Sequence, residues 1–162
     1  MSRLRGRPIL NKRRAARFAA VQALYQVELM GEPSELVCRE FAEHRLRHLF
    51  EPFETDQPSP EVDEEWFRIL VTGAWAARDR LDPEIALCLA EGWTFARLGF
   101  LMRACLRAGA FELADRRDVP IKVAINEYVE LAHLFFDAGE PAFVNAVLDR
   151  LASILRVPDA EP

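Results

Sequence analysis

The apolar residues of this chain recur at the three- and four-residue spacing of an α-helix, and this periodicity most constrains the fold. Between residues 66 and 75 the sequence reads WFRILVTGAW, in which the large apolar side chains fall on one helical stripe. There is no sustained alternation of apolar and polar residues bounded by Asn-Gly or Asp-Gly turns, the pattern typical of strands. The sequence therefore predicts an all-α protein.

Proline, glycine and capping residues divide this pattern into about seven helices. The first is predicted from about Asn11 to Met30 and ends at Gly31, because glycine readily takes the left-handed conformation that ends many helices. Proline is tolerated in the first turn of a helix. Further starts are therefore predicted at Pro33, Ser59-Pro60, Asp82-Pro83, Thr94, Val119-Pro120 and Glu140-Pro141. Seven helices joined by short turns indicate a helical bundle.

A chain of 162 residues is long enough for one domain with a real core. We predict a basic arm over 1–10, a single helical domain over 11–156 and a short tail over 157–162. The acidic, proline-rich insertion at 51–61 is predicted to be a loop and has no assigned role. Gly109 interrupts the fifth helix at a cost of roughly 1 kcal/mol relative to alanine, so a neighbouring helix is expected to cross close to it.

Charge is distributed unevenly along the chain. Its net charge is −5, yet residues 1 to 17 contain seven bases and no acid, namely Arg3, Arg5, Arg7, Lys12, Arg13, Arg14 and Arg17. A basic segment on an acidic body is typical of proteins that contact a polyanion, an anionic membrane or an acidic partner. Arginine suits forked contacts with phosphate and stacking on unpaired bases. The clustering favours nucleic acid over a merely solubilising surface.

The cysteines Cys38, Cys88 and Cys105 are widely spaced, and each lies among apolar residues. We predict three buried thiols, because an odd number without a CxxC motif argues against a disulfide framework or a zinc site. The sequence shows neither a signal-peptide pattern nor an 18-residue uncharged apolar run. These features predict a cytoplasmic protein that makes no membrane contact.

Sequence motifs that carry catalysis are not found. There is no phosphate-binding glycine loop, no GxSxG and no HExxH. His44 and His48 are spaced to share a helical face but have no third metal ligand nearby in sequence, and His133 has no neighbouring nucleophile. We therefore predict that the chain is not an enzyme and needs no cofactor or metal.

Four segments, in order and at matching spacing, resemble the NusB family of bacterial antitermination and ribosomal RNA transcription factors. They are KRRAARFAAVQALYQVEL at 12–29, RACLRAGAFEL at 103–113, DVPIKVAINEYVELA at 118–132 and FVNAVLDRLA at 143–152. The resemblance covers about residues 11 to 156. It implies a fold of two packed helical halves that pairs with the ribosomal protein NusE. That pair would bind the single-stranded boxA element of RNA and join other Nus factors on RNA polymerase.

The resemblance also implies roles for particular residues. The basic family motif that meets RNA matches Lys12, Arg13, Arg14 and Arg17, and Arg13, Arg14 and Arg17 are expected to point outward. Lys122 and Phe143 lie in matched segments and are secondary candidates for RNA contact.

Partner-binding candidates follow from the same resemblance. Tyr25 matches a tyrosine near the shared RNA and protein surface, although a half-buried core role is equally open. Met102 stands where many relatives carry an acid that helps to bind NusE. An exposed Met102 and Phe100 would supply an apolar contact instead, or Glu112 would serve as the acid.

Other interpretations remain open from the sequence. Asn126, Glu127 and Asn145 match the family, and we expect them to be buried groups that stabilise helix starts. The chain could be an interaction domain that has lost RNA binding, a helix-turn-helix DNA-binding protein, or a relative of the N-terminal domain of a ribosomal RNA methyltransferase. Monomer and homodimer are both compatible with the sequence.

Overall fold

The computed structural model describes residues 11–51 and 56–156, and within them the chain forms seven α-helices and no strand. The helices are α1 (Lys12–Met30), α2 (Ser34–Glu40), α3 (Glu64–Ala76), α4 (Arg78–Leu87), α5 (Phe100–Asp115), α6 (Ile121–Phe135) and α7 (Glu140–Leu155). The predicted all-α class is confirmed. The predicted arm 1–10, the tail 157–162 and residues 52–55 of the predicted loop lie outside the described residues.

The ends of α1 agree with the sequence prediction. Asn11 caps the helix with its side chain, and Gly31 ends it in the left-handed conformation with φ of 68°. Pro33 and Pro120 precede α2 and α6, as predicted. Beyond α2 the chain continues through a π-helical turn at Phe41–Arg45 and a short 3-10 turn at Leu46–His48.

The predicted starts of the third and fourth helices are wrong. The cap of α3 is Asp63, whose carboxylate accepts a hydrogen bond from the backbone N–H of Trp66, whereas the Ser59 hydroxyl accepts one from the N–H of Phe50. Pro83 lies inside α4 and does not open it. The helix begins earlier because buried Leu81 and Ile85, one turn apart on opposite sides of Pro83, both face the core.

The start of the fifth helix also differs from the prediction. Thr94 precedes only a 3-10 turn at Phe95–Arg97, and α5 itself begins after Gly99.

Helix α5 lies at the centre of the bundle. It packs against α1, α3, α6 and α7, and α4 also contacts it. The predicted close approach at Gly109 is confirmed, since a Cβ there would lie 3.0 Å from both δ-carbons of Leu148 in α7. All three cysteines are buried, as predicted. None of the helices in the described part of the chain is long and apolar enough to cross a membrane.

Candidate nucleic-acid interface

The first turn of α1 presents two exposed cations. The Asn11 side-chain oxygen accepts a hydrogen bond of 2.8 Å from the backbone N–H of the third helical residue, which fixes this turn. Lys12 Nζ lies 3.8 Å from a Glu61 oxygen and Arg13 Nε lies 3.9 Å from an Asp63 oxygen. Exposed pairs at such distances hold charges weakly. Both cations are therefore available to an external anion.

The charges in this turn are opposite to those that stabilise a helix start. No acid occupies the first turn of α1, although the positive end of the helix dipole favours acids there. Each base at that end lowers the stability of the helix by about 0.3–1 kcal/mol and adds to the positive potential of the helix terminus. Departures from such local rules are expected at functional sites. Lys12 and Arg13 therefore form a small, strongly positive surface at the start of α1.

Arg14 and Arg17, one turn further along, point toward α5 and α6. Arg14 donates two hydrogen bonds of 2.9 Å to Glu127, and Arg17 donates bonds of 2.7 and 2.9 Å to Glu112. Arg17 also lies 3.4 Å from Glu127, and its side chain is only 4% exposed. The prediction that Arg14 and Arg17 point outward is wrong, because both side chains pair with carboxylates of α5 and α6.

Both inward arginines are held in the charged state. The hydrogen bond to Glu127 is the main cause of the raised pKa of Arg14. Burial alone would lower the pKa of Arg17, but the bond to Glu112 and the surrounding charges raise it overall. The two ion pairs thus tie the start of α1 to α5 and α6, and they fix the direction in which the exposed cations point.

Glu112, predicted as a possible partner-binding acid, is completely buried. It accepts hydrogen bonds from Arg17 and from the hydroxyl of Tyr128, which is itself fully buried. No surface of the carboxylate remains for a partner protein. The prediction is wrong because the side chain faces α1 and α6 and not the solvent.

The indole ring of Trp66 in α3 packs against the guanidinium group of Arg13. The guanidinium carbon of Arg13 lies 3.8 Å from the centroid of the Trp66 ring, and that of Arg17 lies 5.7 Å from it. Trp66 is 2% exposed. Cation–π packing of this kind orients a guanidinium while leaving its N–H groups to other acceptors. The sequence placed Trp66 in a core stripe but gave no sign that it would order a surface arginine.

Lys122 lies on a polar groove at the start of α6. The groove has a volume of about 540 Å³, and Asn126, Glu127, Asn145 and Asp149 are among its lining residues. Because Glu127 also binds Arg14, the groove adjoins the start of α1. Asn126 and Asn145 are exposed, so the prediction that they are buried is wrong, while buried Glu127 agrees with it.

The C-terminal part of α1 has a different surface. Tyr25 is 38% exposed, and Leu29 and Met30 beyond it are more exposed still. Tyr25 and Leu29 are one turn apart and share a helical face. This apolar patch lies on the same helix as the cations but at its opposite end.

Met102 and Phe143 meet in one cavity of about 410 Å³, which Trp93 and Phe136 also line. The ring centroids of Trp93 and Phe143 are 5.8 Å apart. Met102 is 7% exposed, so the expectation of an exposed methionine is wrong; its side chain faces the segment between α6 and α7. The sequence did not single out Trp93, although a tryptophan beside Gly92 and two polar residues in the stretch EGWT is an unusual place for a core residue.

The buried thiols are poor nucleophiles. Burial raises the pKa of Cys105 to about 12 and that of Cys38 to about 11. Since the thiolate is the reactive form, both groups stay protonated and unreactive near neutral pH. In the described residues no group of three or more histidine, cysteine or acidic side chains is placed to hold a metal ion.

Comparison with known proteins matches the chain to a family model described as the NusB family over residues 14–153. A protein named transcription antitermination protein NusB from Rhizobium rhizogenes is 48% identical over 147 residues, which are 90% of this chain and 89% of that protein. A protein of the same name from Allorhizobium ampelinum is 46% identical over 148 residues, covering 91% and 90% of the two chains.

Solved structures agree with these matches. The chain is similar to T. maritima NusB with a TM-score of 0.70 and 29% identity, covering 90% of this chain and 93% of that one. It is also similar to a protein chain in the crystal structure of a plectonemic RNA supercoil, with a TM-score of 0.70 and 26% identity. That match covers 87% of this chain and 94% of the other.

Proposed function

The chain belongs to the NusB family, and on this premise we propose that it is a non-catalytic RNA-binding adaptor in transcription antitermination and ribosomal RNA synthesis. Its RNA would be a single-stranded boxA-type element, bound together with the ribosomal protein NusE. The resulting pair would join other Nus factors on RNA polymerase.

The observation that carries the proposal is the pair of exposed cations at the start of α1. Lys12 and Arg13 extend from a helix terminus that already has a positive potential, on a protein whose net charge is −5. An acidic body repels a polyanion, so contacts with phosphates are expected to centre on this end. Phosphates of a single strand are the expected ligands, because the surface offers charge and N–H donors in a small area.

The four bases of this motif would have two different roles. Lys12 and Arg13 contact phosphates directly, whereas Arg14 and Arg17 position the turn through Glu127 and Glu112. Lys122, in the adjoining groove, extends the same surface.

Phe143 would provide a face for stacking an unpaired base, as aromatic side chains commonly do in single-strand recognition. It lies with Met102 in the cavity and is half-buried.

NusE would bind the apolar patch of Tyr25, Leu29 and Met30. Aromatic and apolar groups of this kind are typical anchors of protein interfaces. Two weak RNA-binding surfaces held on one strand raise affinity through effective concentration. The adaptor alone is therefore expected to bind RNA weakly and the heterodimer tightly.

Fluorescence anisotropy with labelled boxA RNA and a scrambled RNA of equal composition tests the proposal, with and without NusE at two salt concentrations. We expect tight, boxA-selective binding only with NusE. Arg13→Ala should weaken it and reduce the salt slope by about 0.7, while Arg39→Ala, which removes an exposed arginine of α2, serves as the matched control. Unchanged binding by Arg13→Ala would contradict the RNA surface.

A second experiment tests the partner patch. Tyr25→Ala should weaken NusE binding by about 2 kcal/mol, roughly thirtyfold, if Tyr25 is a central anchor. Leu87→Ala is the control, because Leu87 is 76% exposed on α4, away from this helix. Isothermal titration with NusE in the absence of RNA measures both. Equal affinities for the two variants would place the partner elsewhere.

A further inference from the structure

Two arginines that are distant in sequence pack against the same buried indole. The guanidinium carbon of Arg13 in α1 lies 3.8 Å from the Trp66 ring centroid, and that of Arg116, just after α5, lies 4.5 Å from it. Two groups at these distances from one point are at most about 8.3 Å apart. Trp66 thus gathers two cations into one small area of the surface.

The backbone of Arg116 is firmly fixed. Its N–H donates to the carbonyl of Glu112 at 3.0 Å, and its own carbonyl accepts from Arg156 at 3.0 Å and from the N–H of Val119 at 2.9 Å. A side chain that starts from such an anchored backbone and rests on a buried ring has little freedom to lose on binding. Preorganisation of this kind improves affinity.

The charges of both arginines remain accessible. Among the described residues Arg13 has no hydrogen-bond acceptor for its side chain, and its Nε lies 3.9 Å from the Asp63 carboxylate. Arg116 pairs with Asp118 at 3.1 and 3.2 Å, but this pair joins residues two apart and the Asp118 side chain is 57% exposed. The Arg116 side chain is itself 29% exposed, so a phosphate can compete with the exposed Asp118 carboxylate for it, and Nη1 of Arg116 lies outside the pair.

We propose that Arg116 is a further phosphate-binding residue of this protein, and that Arg13 and Arg116 together grip neighbouring phosphates of one single-stranded RNA across Trp66. The inference rests on the proposed function, since it extends the same RNA surface. The strand leaves the start of α1, crosses α3 at Trp66 and reaches the end of α5. Trp66 is too buried to stack on a base, so it acts as a positioning residue.

RNA is favoured over an acidic peptide as the ligand because the two arginines continue the surface of Lys12. Arginine forks match the oxygens of a phosphate, and phosphates follow one another along a strand at a regular spacing. On binding, a phosphate takes the place of the Asp118 carboxylate on Arg116. Asp118 therefore competes with RNA, and removing its charge should strengthen binding.

The test is the anisotropy titration of boxA RNA with the full chain and NusE at two salt concentrations. Arg116→Gln should weaken binding roughly three- to tenfold and reduce the salt slope by about 0.7, the value for one phosphate contact on a single strand. Arg117→Gln is the matched control: it removes the same charge one residue away, from a side chain that donates to the Leu155 carbonyl. It should change affinity less than twofold. Asp118→Asn should tighten binding.

Equal effects of Arg116→Gln and Arg117→Gln would overturn the inference, while loss of binding in Arg13→Ala would still support the RNA adaptor. Failure of the unmodified pair to bind RNA would overturn both. Thermal unfolding monitors whether Arg116→Gln is folded. If it is not folded, Asp118→Asn decides. That change lies on the surface, and damage to the fold could not make RNA binding tighter. Unchanged or weaker binding by Asp118→Asn would reject the role of Arg116.

Discussion

The two ends of α1 are fastened to the bundle by ion networks of opposite polarity. At the N-terminal end the helix supplies the cations, Arg14 and Arg17, and the carboxylates of Glu112 and Glu127 come from α5 and α6. At the C-terminal end the helix supplies an acid, Glu28, which binds Arg103 and Arg107 of α5. Each end therefore grips α5, but with the charges exchanged.

The solvent-exposed surfaces at the two ends of α1 also differ. Beyond the N-terminal network, Lys12 and Arg13 remain exposed and cationic. At the C-terminal end, Arg107 is bound by Asp82 as well as by Glu28. The exposed side chains on that part of α1 include Tyr25, Leu29 and Met30.

Because the charges within each network are paired with one another, the character of each surface is set by the exposed side chains of α1. One rigid helix can thus offer a positive end to a polyanion and an apolar end to a protein. The two ligands would bind along a common axis without competing for the same side chains. This arrangement fits an adaptor that brings RNA and a protein partner together.

The largest effects are expected when one carboxylate is removed from each of the two ion networks. Glu112→Ala should cost about 3–5 kcal/mol of unfolding free energy, because it leaves the Arg17 charge and the Tyr128 hydroxyl buried without their main partner. Asp82→Ala should cost less, about 1–3 kcal/mol, since Arg107 keeps its 2.8 Å contact with Glu28 and Asp82 is more exposed. Urea unfolding measures both values.

Asp115→Ala is the control for that experiment. It breaks the exposed pair with Arg80 and should cost less than about 1 kcal/mol. A cost for Glu112→Ala no larger than that of Asp82→Ala would mean that the buried N-terminal network contributes no more to stability than the more exposed C-terminal one.

Much of the fold could be predicted because helices leave local signals. The caps of α1 and the apolar stripe of α3 were readable from residues within one or two turns. The start of α3 was not, because Ser59 and Asp63 are both good caps that precede acids. The choice is made by tertiary contact: the N–H of Asp63 donates to the carbonyl of Lys12, which joins this segment to α1.

The candidate site was less predictable because its geometry depends on distant residues. Arg17 is 95 positions from Glu112, and Arg14 is 113 from Glu127. Nothing within α1 distinguishes an arginine that will meet a buried acid from one that will face solvent. The sequence could therefore identify the basic motif but could not divide it into outward and inward members.

Alkaline pH distinguishes the two networks, because in the N-terminal network the hydroxyl of Tyr128 donates to Glu112 and can lose its proton there. Burial raises the pKa of Tyr128 well above its usual value of about 10, while the raised pKa values of Arg17 and Arg107 keep those two side chains charged. The folded state keeps a proton that the unfolded chain loses above about pH 10. This contribution to stability is complete below that pH and declines as pH rises through the folded pKa, by up to about 1.4 kcal/mol per pH unit.

Tyr128→Phe removes this decline and should be compared with the unmodified protein by urea unfolding at about pH 8, 10 and 11. The buried thiol of Cys105, whose pKa is raised from 9.0 to about 12, adds its own decline to both proteins and so cancels in the difference. We expect the variant to be somewhat less stable near pH 8, where Glu112 loses a donor, and to close that gap as pH rises. A gap that stays constant would exclude Tyr128 as the alkaline switch of this network.

The smallest and most selective effects are expected from the two caps of α1. Asn11→Ala removes the side-chain acceptor of the first turn and should cost about 1 kcal/mol. Gly31→Ala should cost about 1–2 kcal/mol, because its φ of 68° disfavours a side chain although a Cβ would meet nothing within 4 Å. Gly139→Ala, at a negative φ with equally open space, is the control and should be nearly neutral.

Similar losses of stability should then separate in function. Fraying of the first turn releases Lys12 and Arg13 from their fixed directions, so Asn11→Ala should also weaken RNA binding and leave NusE binding intact. Loosening the last turn disturbs Leu29 and Met30, so Gly31→Ala should do the reverse. Anisotropy with RNA and titration with NusE on the same two variants measure this. If both variants lost both ligands equally, the two ends of α1 would form one surface, and the division of the helix into a cationic and an apolar half would have to be abandoned.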